Sequence, residues 1–223
     1  MRFMVWNMQW MTRYVGFIAR PFIAWYADRE VIACGLRSKN GEVCIIYSPT
    51  PDRINHSFFK KETNQWLIVD VLQANNFSGN LVRQVVLPNA KIGDIYIVRV
   101  QKGNTGSTLC SPKITVKERT QSYPDLIEVT SLSNGKAYIS WRNGEQFDPM
   151  IYFLTVEDEQ GRALSGIYTR EFFWEYPCIK KASLSIGGSN PILLQKDKQY
   201  TVKLTIVDFD GWVSCIAKKV FTY

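Results

Sequence analysis

The sequence predicts an all-β protein made of two tandem antiparallel β-sandwiches, preceded by an apolar N-terminal segment whose pattern suits a helix. After residue 30, apolar and polar residues alternate at period two in many short runs, which is typical of half-buried strands. Glycine-containing turn signals, such as Asn40-Gly41 and Asp210-Gly211, separate these runs. The same landmarks return after about 100 residues, and such a period indicates that one sandwich unit was duplicated.

The composition excludes several classes of protein. Hydrophobic residues make up 46% of the chain and charged residues 21%, which is ordinary for a folded domain. The 27 Lys and Arg exceed the 20 Asp and Glu by seven, but no run of like charges concentrates this excess. Nucleic-acid binding requires a basic stripe with interleaved aromatic residues, so no specific nucleic-acid partner is predicted.

The five cysteines do not predict a disulfide framework or a zinc site, because their number is odd and no C-x-x-C spacing occurs. Cys34 and Cys44 flank a predicted hairpin turn and are placed to face each other across two strands. Buried free thiols are the expected state, since cysteine packs as a small hydrophobic residue. No cofactor or metal is predicted.

Residues 1–29 form an apolar, aromatic arm unlike the rest of the chain. Four of the five methionines and three of the seven tryptophans lie within its first twenty-five residues. On a helix, the polar residues fall on one narrow side, until Pro21 ends or kinks it. We predict that the arm binds a partner through its apolar side chains, which are Met4, Trp6, Met8, Trp10, Met11, Val15, Ile18 and Phe22.

Two interpretations of this arm remain open. Arg13 and Arg20 interrupt its apolar run, which excludes a membrane span, and it lacks the apolar core and cleavage site of a signal peptide. As a cationic amphipathic helix, it would lie on a membrane surface or dock into a partner subunit. Alternatively, it packs on the chain's own first domain. Without an export signal, we expect the protein to be made in the cytoplasm.

The first module is predicted over residues 30–118. A strand from Val31 leads through Asn40-Gly41 into a strand in which Val43, Ile45 and Tyr47 share one face. Residues 48–65 are predicted to be a long polar loop, where recognition residues commonly lie. This loop holds the single His56 and four candidate partner-binding residues, which are Phe58, Phe59, Lys60 and Lys61. Further strands are predicted over 66–73, 81–87, 95–101 and 113–116.

A linker over 119–123 and a second module over 124–223 complete the chain. The second module repeats the landmarks of the first, since an inward aromatic follows the turn glycine by six residues in both (Gly41 to Tyr47, Gly135 to Trp141). Its last hairpin is predicted from the alternation that begins at Tyr200 and from the turn at Asp210-Gly211.

The second module resembles the fibronectin type III family. The resemblance is carried by Trp141, by Leu194 six residues before Tyr200, and by Gly211. It implies seven antiparallel strands in two sheets, a tryptophan in the core and a tyrosine corner. In the first module Tyr47 replaces the tryptophan, and Tyr96 is preceded by Ala90 instead of leucine, so that module is similar to a divergent immunoglobulin-like variant. The predicted structural core residues are Tyr47, Tyr96, Trp141, Leu194 and Tyr200.

No enzyme is predicted. A lone histidine without a G-x-S-x-G elbow makes a poor catalytic triad. The acidic run at 157–159 falls at a predicted turn, and Asp208-x-Asp210-Gly211 lacks the glutamate that would complete a calcium loop. Exposed aromatic rings are the better surface candidates because such rings are typical of protein contacts and sugar platforms. The predicted partner-binding aromatics of this module are Phe172, Phe173, Trp174, Tyr176 and Trp212.

These patterns favour a structural or assembly protein, in which the arm docks two modules into a homo- or hetero-oligomeric complex. Modules of this family mostly work outside cells, and a virion component, such as a phage capsid or tail accessory protein, would need no export signal because lysis releases it. One alternative is an adhesion or carbohydrate-binding module that uses the 48–65 loop and exposed aromatics, with a glycan as its partner. Another is a protein anchored on a membrane surface.

Overall fold

The computed structural model describes residues 31–48, 55–73, 77, 81–101, 108–142, 149–180, 182, 184–186 and 192–223. Within these ranges the regular structure consists of β-strands and one short 3-10 turn, Pro124–Leu126, which confirms the predicted all-β class. No helix in this part of the chain is long and apolar enough to cross a bilayer. The predictions for residues 1–29 lie outside the described residues.

The first module is a sandwich of two antiparallel sheets. One sheet has the strand order β1-β2-β6-β5, and the other has the order β4-β3-β7-β8, with β9 also paired to β7. The strands are β1 Ala33–Arg37, β2 Val43–Tyr47, β3 Asn55–Glu62, β4 Gln65–Val69, β5 Leu72–Gln73, β6 Arg83–Val86, β7 Ile95–Gln101, β8 Thr108–Cys110 and β9 Ile114–Thr115.

Two sequence predictions for this module are wrong in detail. Strand β3, Asn55–Glu62, lies within the predicted 48–65 loop and pairs with both β4 and β7 inside its sheet. The predicted single strand over 66–73 is two strands, because β4 belongs to one sheet and β5 pairs with β6 in the other. The chain therefore crosses between the sheets at Asp70 and Val71.

The second module is also a two-sheet sandwich. Its smaller sheet has the order β11-β12-β15, and its larger sheet has the order β10-β18-β17-β13-β14-β16. All neighbours are antiparallel except β10, which lies parallel to β18. The strands are β10 Gln121–Ser122, β11 Ile127–Leu132, β12 Lys136–Trp141, β13 Pro149–Glu157, β14 Ala163–Thr169, β15 Phe173–Tyr176, β16 Leu184–Ile186, β17 Gln199–Asp208 and β18 Val213–Thr222.

Each sandwich encloses its own apolar core. Trp141, Leu194 and Tyr200 are buried together in the second module, and Tyr47 and Tyr96 are buried in the first. These residues lie where the two sheets of each module face each other, since alternate side chains of a strand point to opposite faces.

The two modules are packed against each other through a third apolar cluster, which we call the joint. One side of the joint is the outer face of β1 and β2, and the other is the outer face of the larger sheet of the second module. Its members from the first module include Cys34, Leu36, Cys44 and Ile46, and those from the second include Ile151, Phe153, Tyr168, Val207 and Val213. The protein is therefore a stack of four sheets.

The joint explains why several strands contain unbroken apolar runs. In β2, Val43, Ile45 and Tyr47 face the core of the first module, whereas Cys44 and Ile46 face the joint. All five residues of β2 are consequently buried. A continuous apolar run is typical of a strand that is covered on both faces.

Candidate functional site

The aromatic run at 172–176 is only partly at the surface. Trp174 and Tyr176 are 2% and 1% exposed, which corrects the prediction that they form a partner surface. They point into the core of the second module because β15 pairs with β12 there. Phe172 is 50% exposed, and Phe173 is half-buried and stacks on Tyr138, with 5.6 Å between the ring centroids.

Trp212 is fully buried, which corrects the prediction that it is exposed at a hairpin tip. The hairpin between β17 and β18 reaches past the joint, and the indole ring lies in the core cluster of the first module. The indole Nε1 donates a hydrogen bond to the carbonyl oxygen of Arg119 at 3.1 Å. Trp212 therefore forms part of the contact between the two modules of the chain.

The four candidates near the predicted loop are strand residues with structural partners. Phe58 is buried in the core of the first module, and Phe59 lies under the guanidinium of Arg99, 4.5 Å from the ring centroid. The Lys60 ammonium is 3.0 Å from the Asp94 carboxylate. Lys61 alone of the four is exposed. The structure therefore provides no recognition loop from these residues.

The acidic pair near the last turn holds an ammonium group. Lys117 Nζ lies 2.8 Å from the Asp208 carboxylate and 3.0 Å from that of Asp210. Burial acts to lower the pKa of Lys117, but the hydrogen bonds that its ammonium donates to both carboxylates, and their charges, raise the pKa overall. This contact fastens the segment between the modules to the last hairpin.

In the acidic run at 157–159, Glu157 and Asp158 form ion pairs with neighbouring cations. Glu157 accepts a hydrogen bond from Lys203 Nζ at 2.6 Å, and Asp158 pairs with Arg162 at 2.7 Å. Burial acts to raise the pKa of Asp158, but hydrogen bonds from the Arg162 backbone and side chain lower it on balance. No group of three or more metal-ligating side chains occurs among the residues that the structure describes.

The cysteines of the described chain are free thiols. Burial raises the pKa of Cys34 to about 12 and that of Cys215 to about 11. A thiolate is the nucleophilic form, so these two thiols are poor nucleophiles at neutral pH. Cys178 is the exposed one.

Exposed apolar side chains lie on strands β4 and β5, each at one end of a sheet of the first module. We call these side chains the edge patch and define it by Leu67, Ile68 and Leu72, which are 43%, 70% and 63% exposed. Among the strands that the structure describes, β4 pairs with β3 alone and β5 with β6 alone, so each is the last strand of its described sheet. Leu67 and Ile68 lie on the first of these edges and Leu72 on the second.

A cleft of about 320 Å³ opens beside the joint, and we call it the junction cleft. Residues of both modules line it, among them Arg37 and Lys39 from the first and Lys203 and Lys218 from the second. This cluster could not be predicted from sequence patterns because its members are far apart in the chain. The pairing of Lys203 with Lys218 could have been found from the register of the last hairpin.

The strand order defines the class of the protein. The chain is a tandem pair of fibronectin type III-like, immunoglobulin-like β-sandwich modules, as the resemblance predicted. The first module has a four-stranded sheet opposite the sheet of β3 and β7, and the second has a three-stranded sheet opposite that of β13 and β17. The class fixes a scaffold and leaves the activity to its surfaces.

Comparisons with known proteins add no function. No known family and no curated protein matches the chain. Among solved structures, it is similar to the FN1–FN3 domains of chicken CNTN1 at 14% identity and a TM-score of 0.33, over 86% of this chain and 66% of that one. It is similar to titin domains A168–A170 at 15% identity and a TM-score of 0.33, over 87% and 59%.

A third similar structure is the BSP domain of a biofilm-associated protein, at 12% identity and a TM-score of 0.28. The match covers 86% of this chain and 29% of that one. The chain thus spans less than two thirds of the length of each of these three structures.

Proposed function

We propose that this protein is a non-enzymatic structural or assembly subunit, in which two stacked modules dock into a larger homo- or hetero-oligomeric complex. The observation that carries the proposal is the edge patch. Within the described part of the chain, strand β4 has no strand partner on one side of its backbone, and it carries exposed Leu67 and Ile68. The arm over residues 1–29 is the second attachment element of the proposal.

The edge patch lacks the features that normally keep edge strands apart. Residues 65–69 are Gln-Trp-Leu-Ile-Val, with no charge and no proline. Natural edge strands carry lysine, proline or a covering element because a bare edge pairs with other chains. Such an edge is suited to strand addition, in which backbone hydrogen bonds give affinity and apolar side chains give specificity. The partner is accordingly a strand-forming protein segment.

The chemistry of the described side chains also favours a structural role. Several charged side chains form ion pairs, such as Lys60 with Asp94 and Lys203 with Glu157. The most buried thiols have a raised pKa, which makes them poor nucleophiles. These features suit a scaffold better than a catalyst. A phage capsid or tail is the specific assembly that we propose, from the sequence argument alone.

The test is light scattering after size exclusion. We expect the full chain to form a defined oligomer, and we expect Ile68→Lys to reduce it to a monomer by placing a charge on the edge. Ile179→Lys is the matched control, because Ile179 is 50% exposed away from the edge patch. A truncation that starts at Asp28 measures how much the arm contributes to oligomer formation.

The outcomes separate the two attachment elements. Loss of the oligomer in Ile68→Lys alone assigns the contact to the edge patch, and loss in the truncation alone assigns it to the arm. A monomeric full chain at all concentrations, with no association through either element, would contradict self-assembly. Failure to capture a partner strand in a peptide-binding screen would then contradict the proposal as a whole.

A second candidate function is adhesion through a glycan. The observation that favours it is the exposed ring of Phe172, since flat rings stack on sugars. Trp174→Ala is a poor test because Trp174 is buried in the core. The better variant is Phe172→Ala, and glycan-array binding that this variant abolishes would favour adhesion over assembly.

A further inference from the structure

The junction cleft has a wall from each module. The first module contributes the end of β1 and the turn after it, including Arg37, Ser38 and Lys39. The second contributes Lys203 from β17 and Lys218 from β18. Its apolar lining includes Leu36 and Ile216, so the cleft is lined by both apolar and charged side chains.

The positive charge in this cleft is concentrated by the sheet itself. Lys203 and Lys218 are directly opposite each other in the register of β17 and β18, so their side chains share one face. Like charges in this position repel each other. Glu157 neutralises one of them, at 2.6 Å from Lys203 Nζ. No acidic residue is among the described residues that line the cleft.

Arg37 is held in place without a counter-charge of its own in the described structure. Its Nη1 donates to the carbonyl oxygen of Gly41 at 2.7 Å, and its Nη2 donates to that of Lys117 at 3.3 Å. Both acceptors are neutral, so the guanidinium keeps its full positive charge. The first module therefore adds a fixed cation to the cleft, and Lys39 adds a second at the adjacent turn.

The pKa of Lys218 is consistent with this excess of positive charge in the cleft. Burial, followed by the charges of Lys203 and Lys39, lowers the pKa of Lys218, although Glu157 acts in the opposite direction. A lowered lysine pKa means that the protonated form is destabilised by its surroundings. An anion in the cleft would reverse this effect.

We propose that the junction cleft binds a small multivalent oxyanion, either a phosphate ester or a di- or tricarboxylate, through Lys39, Lys203 and Lys218. Lysine ammonium groups bind phosphate and carboxylate oxygens as compact point charges. A cleft of about 320 Å³ is in the size range of small-molecule sites. Because its cations come from both modules, the bound anion links the two modules.

The experiment is thermal unfolding of the full chain with sodium pyrophosphate or sodium citrate, against sodium chloride at equal ionic strength. A ligand that binds only the folded state raises the Tm by mass action, by about 3–5 °C at roughly ten times its Kd for a protein of this size. Sodium chloride should give no saturable rise in the Tm. A response to pyrophosphate alone identifies a phosphate site, and a response to citrate alone identifies a carboxylate site.

The variants test the location. We expect Lys39→Gln/Lys218→Gln to weaken pyrophosphate or citrate binding by about tenfold or more in calorimetry, because two charge-assisted contacts are lost. The same variant should have an unchanged or higher Tm without ligand, since it removes like-charge repulsion. Lys219→Gln is the matched control, because Lys219 neighbours Lys218 but points to the opposite face.

Two results would overturn the proposal. The first is the absence of a saturable rise in Tm with both probes. The second is equal affinity in Lys39→Gln/Lys218→Gln and in the unchanged protein, which would place any anion elsewhere. Neither result affects the assembly proposal, whose readout is the oligomeric state.

Discussion

The indole ring of Trp212, in the second module, lies against Gly35 in the first strand of the first module. A Cβ atom at Gly35 would be 2.8 Å from Cε3 of Trp212 and 2.6 Å from Cγ2 of Ile114. The Gly35 N–H also donates to the carbonyl oxygen of Gly211 at 2.9 Å. The indole fits there because position 35 has no side chain.

Gly35→Ala should therefore lower the free energy of unfolding by about 1–3 kcal/mol, the usual cost of overpacking a filled site. Urea denaturation followed by circular dichroism measures the change. Ser131→Ala, at an exposed position on β11, is the control and should stay within about 0.5 kcal/mol of the unchanged protein. If Gly35→Ala leaves the free energy of unfolding unchanged, the contact between position 35 and Trp212 is looser in solution than in the structure.

The joint should make the two modules unfold together. We expect one calorimetric transition for the full chain, with equal calorimetric and van't Hoff enthalpies, because separation would expose the apolar face of each module. Trp212→Ala should cost about 3–5 kcal/mol, because it removes a side chain of the second module from the core of the first and leaves a large cavity there. Two resolved transitions in the unchanged protein would mean that the modules are independent.

The sandwich class and the tyrosine corner of the second module could be predicted from the sequence, because both depend on local patterns. Alternation identifies strands from neighbouring residues, and Leu194 and Tyr200 are six residues apart. Strand β3 was missed because Lys60, Lys61 and Glu62 resemble a polar loop. Only the fold shows that the ammonium of Lys60 reaches the carboxylate of Asp94, just before β7.

The module contact could not be predicted, for a related reason. Trp212 follows a turn glycine, a position that is exposed in most hairpins, and its burial depends on a second sheet that lies far away in the sequence. The unbroken apolar run of β2 did contain the signal that both of its faces are covered. Nothing in that run identifies which sheet covers it.

The two tyrosine corners should respond differently to removal of the hydroxyl. In the second module, the Tyr200 hydroxyl accepts a hydrogen bond from the Gln195 N–H at 2.8 Å. In the first, the equivalent N–H of Lys91 donates to the Asp94 carboxylate at 2.8 Å, and the Tyr96 hydroxyl donates to the same oxygen at 3.3 Å. A carboxylate thus takes the place of the tyrosine oxygen as acceptor.

Tyr200→Phe should accordingly cost about 1–3 kcal/mol because it leaves a backbone donor without its acceptor. Tyr96→Phe should cost less, about 0.5–1.5 kcal/mol, since Asp94 still accepts from Lys91. Chemical denaturation of the two single variants compares them directly. An equal loss of unfolding free energy in the two variants would argue against the idea that Asp94 replaces the tyrosine oxygen as the acceptor in the first module.

Asp94 should make the protein sensitive to acid. Burial acts to raise the pKa of its carboxyl, but the Lys91 N–H and the ammonium of Lys60 lower it on balance. Between this lowered pKa and the ordinary value near 4, the unfolded chain binds more protons than the folded one. The stability contributed by Asp94 is therefore present above about pH 4 and is lost as the pH falls through the folded-state pKa.

The measurement is the difference in stability between the unchanged protein and Asp94→Asn. It should be largest near pH 7 and shrink towards about pH 3. Asp158, whose pKa is also lowered, titrates in the same direction, so Asp158→Asn serves as the comparison for a more peripheral pair. A difference that does not change with pH would show that Asp94 acts through packing alone.

The thiols should differ sharply in reactivity. At about pH 8, we expect Ellman's reagent to modify Cys178 rapidly and to leave Cys34, Cys44 and Cys215 unmodified until the protein unfolds, because burial disfavours their thiolates. Mass spectrometry of the labelled peptides identifies each site. Fast labelling of Cys34 in the folded protein would mean that the joint opens readily.

The coverage of β1 and β2 on both faces has a consequence for how this protein can evolve. A duplicated sandwich can usually be moved by recombination into a longer array, because each copy has its own solvent-facing exterior. Here the copies have lost that independence, since residues such as Ile46 and Phe153 are interior only while both copies are present. Selection at these positions should favour apolar residues of conserved size, as it does in a protein core. A gene fragment that encodes one module alone would have to acquire polar residues on this face before it could be inherited separately.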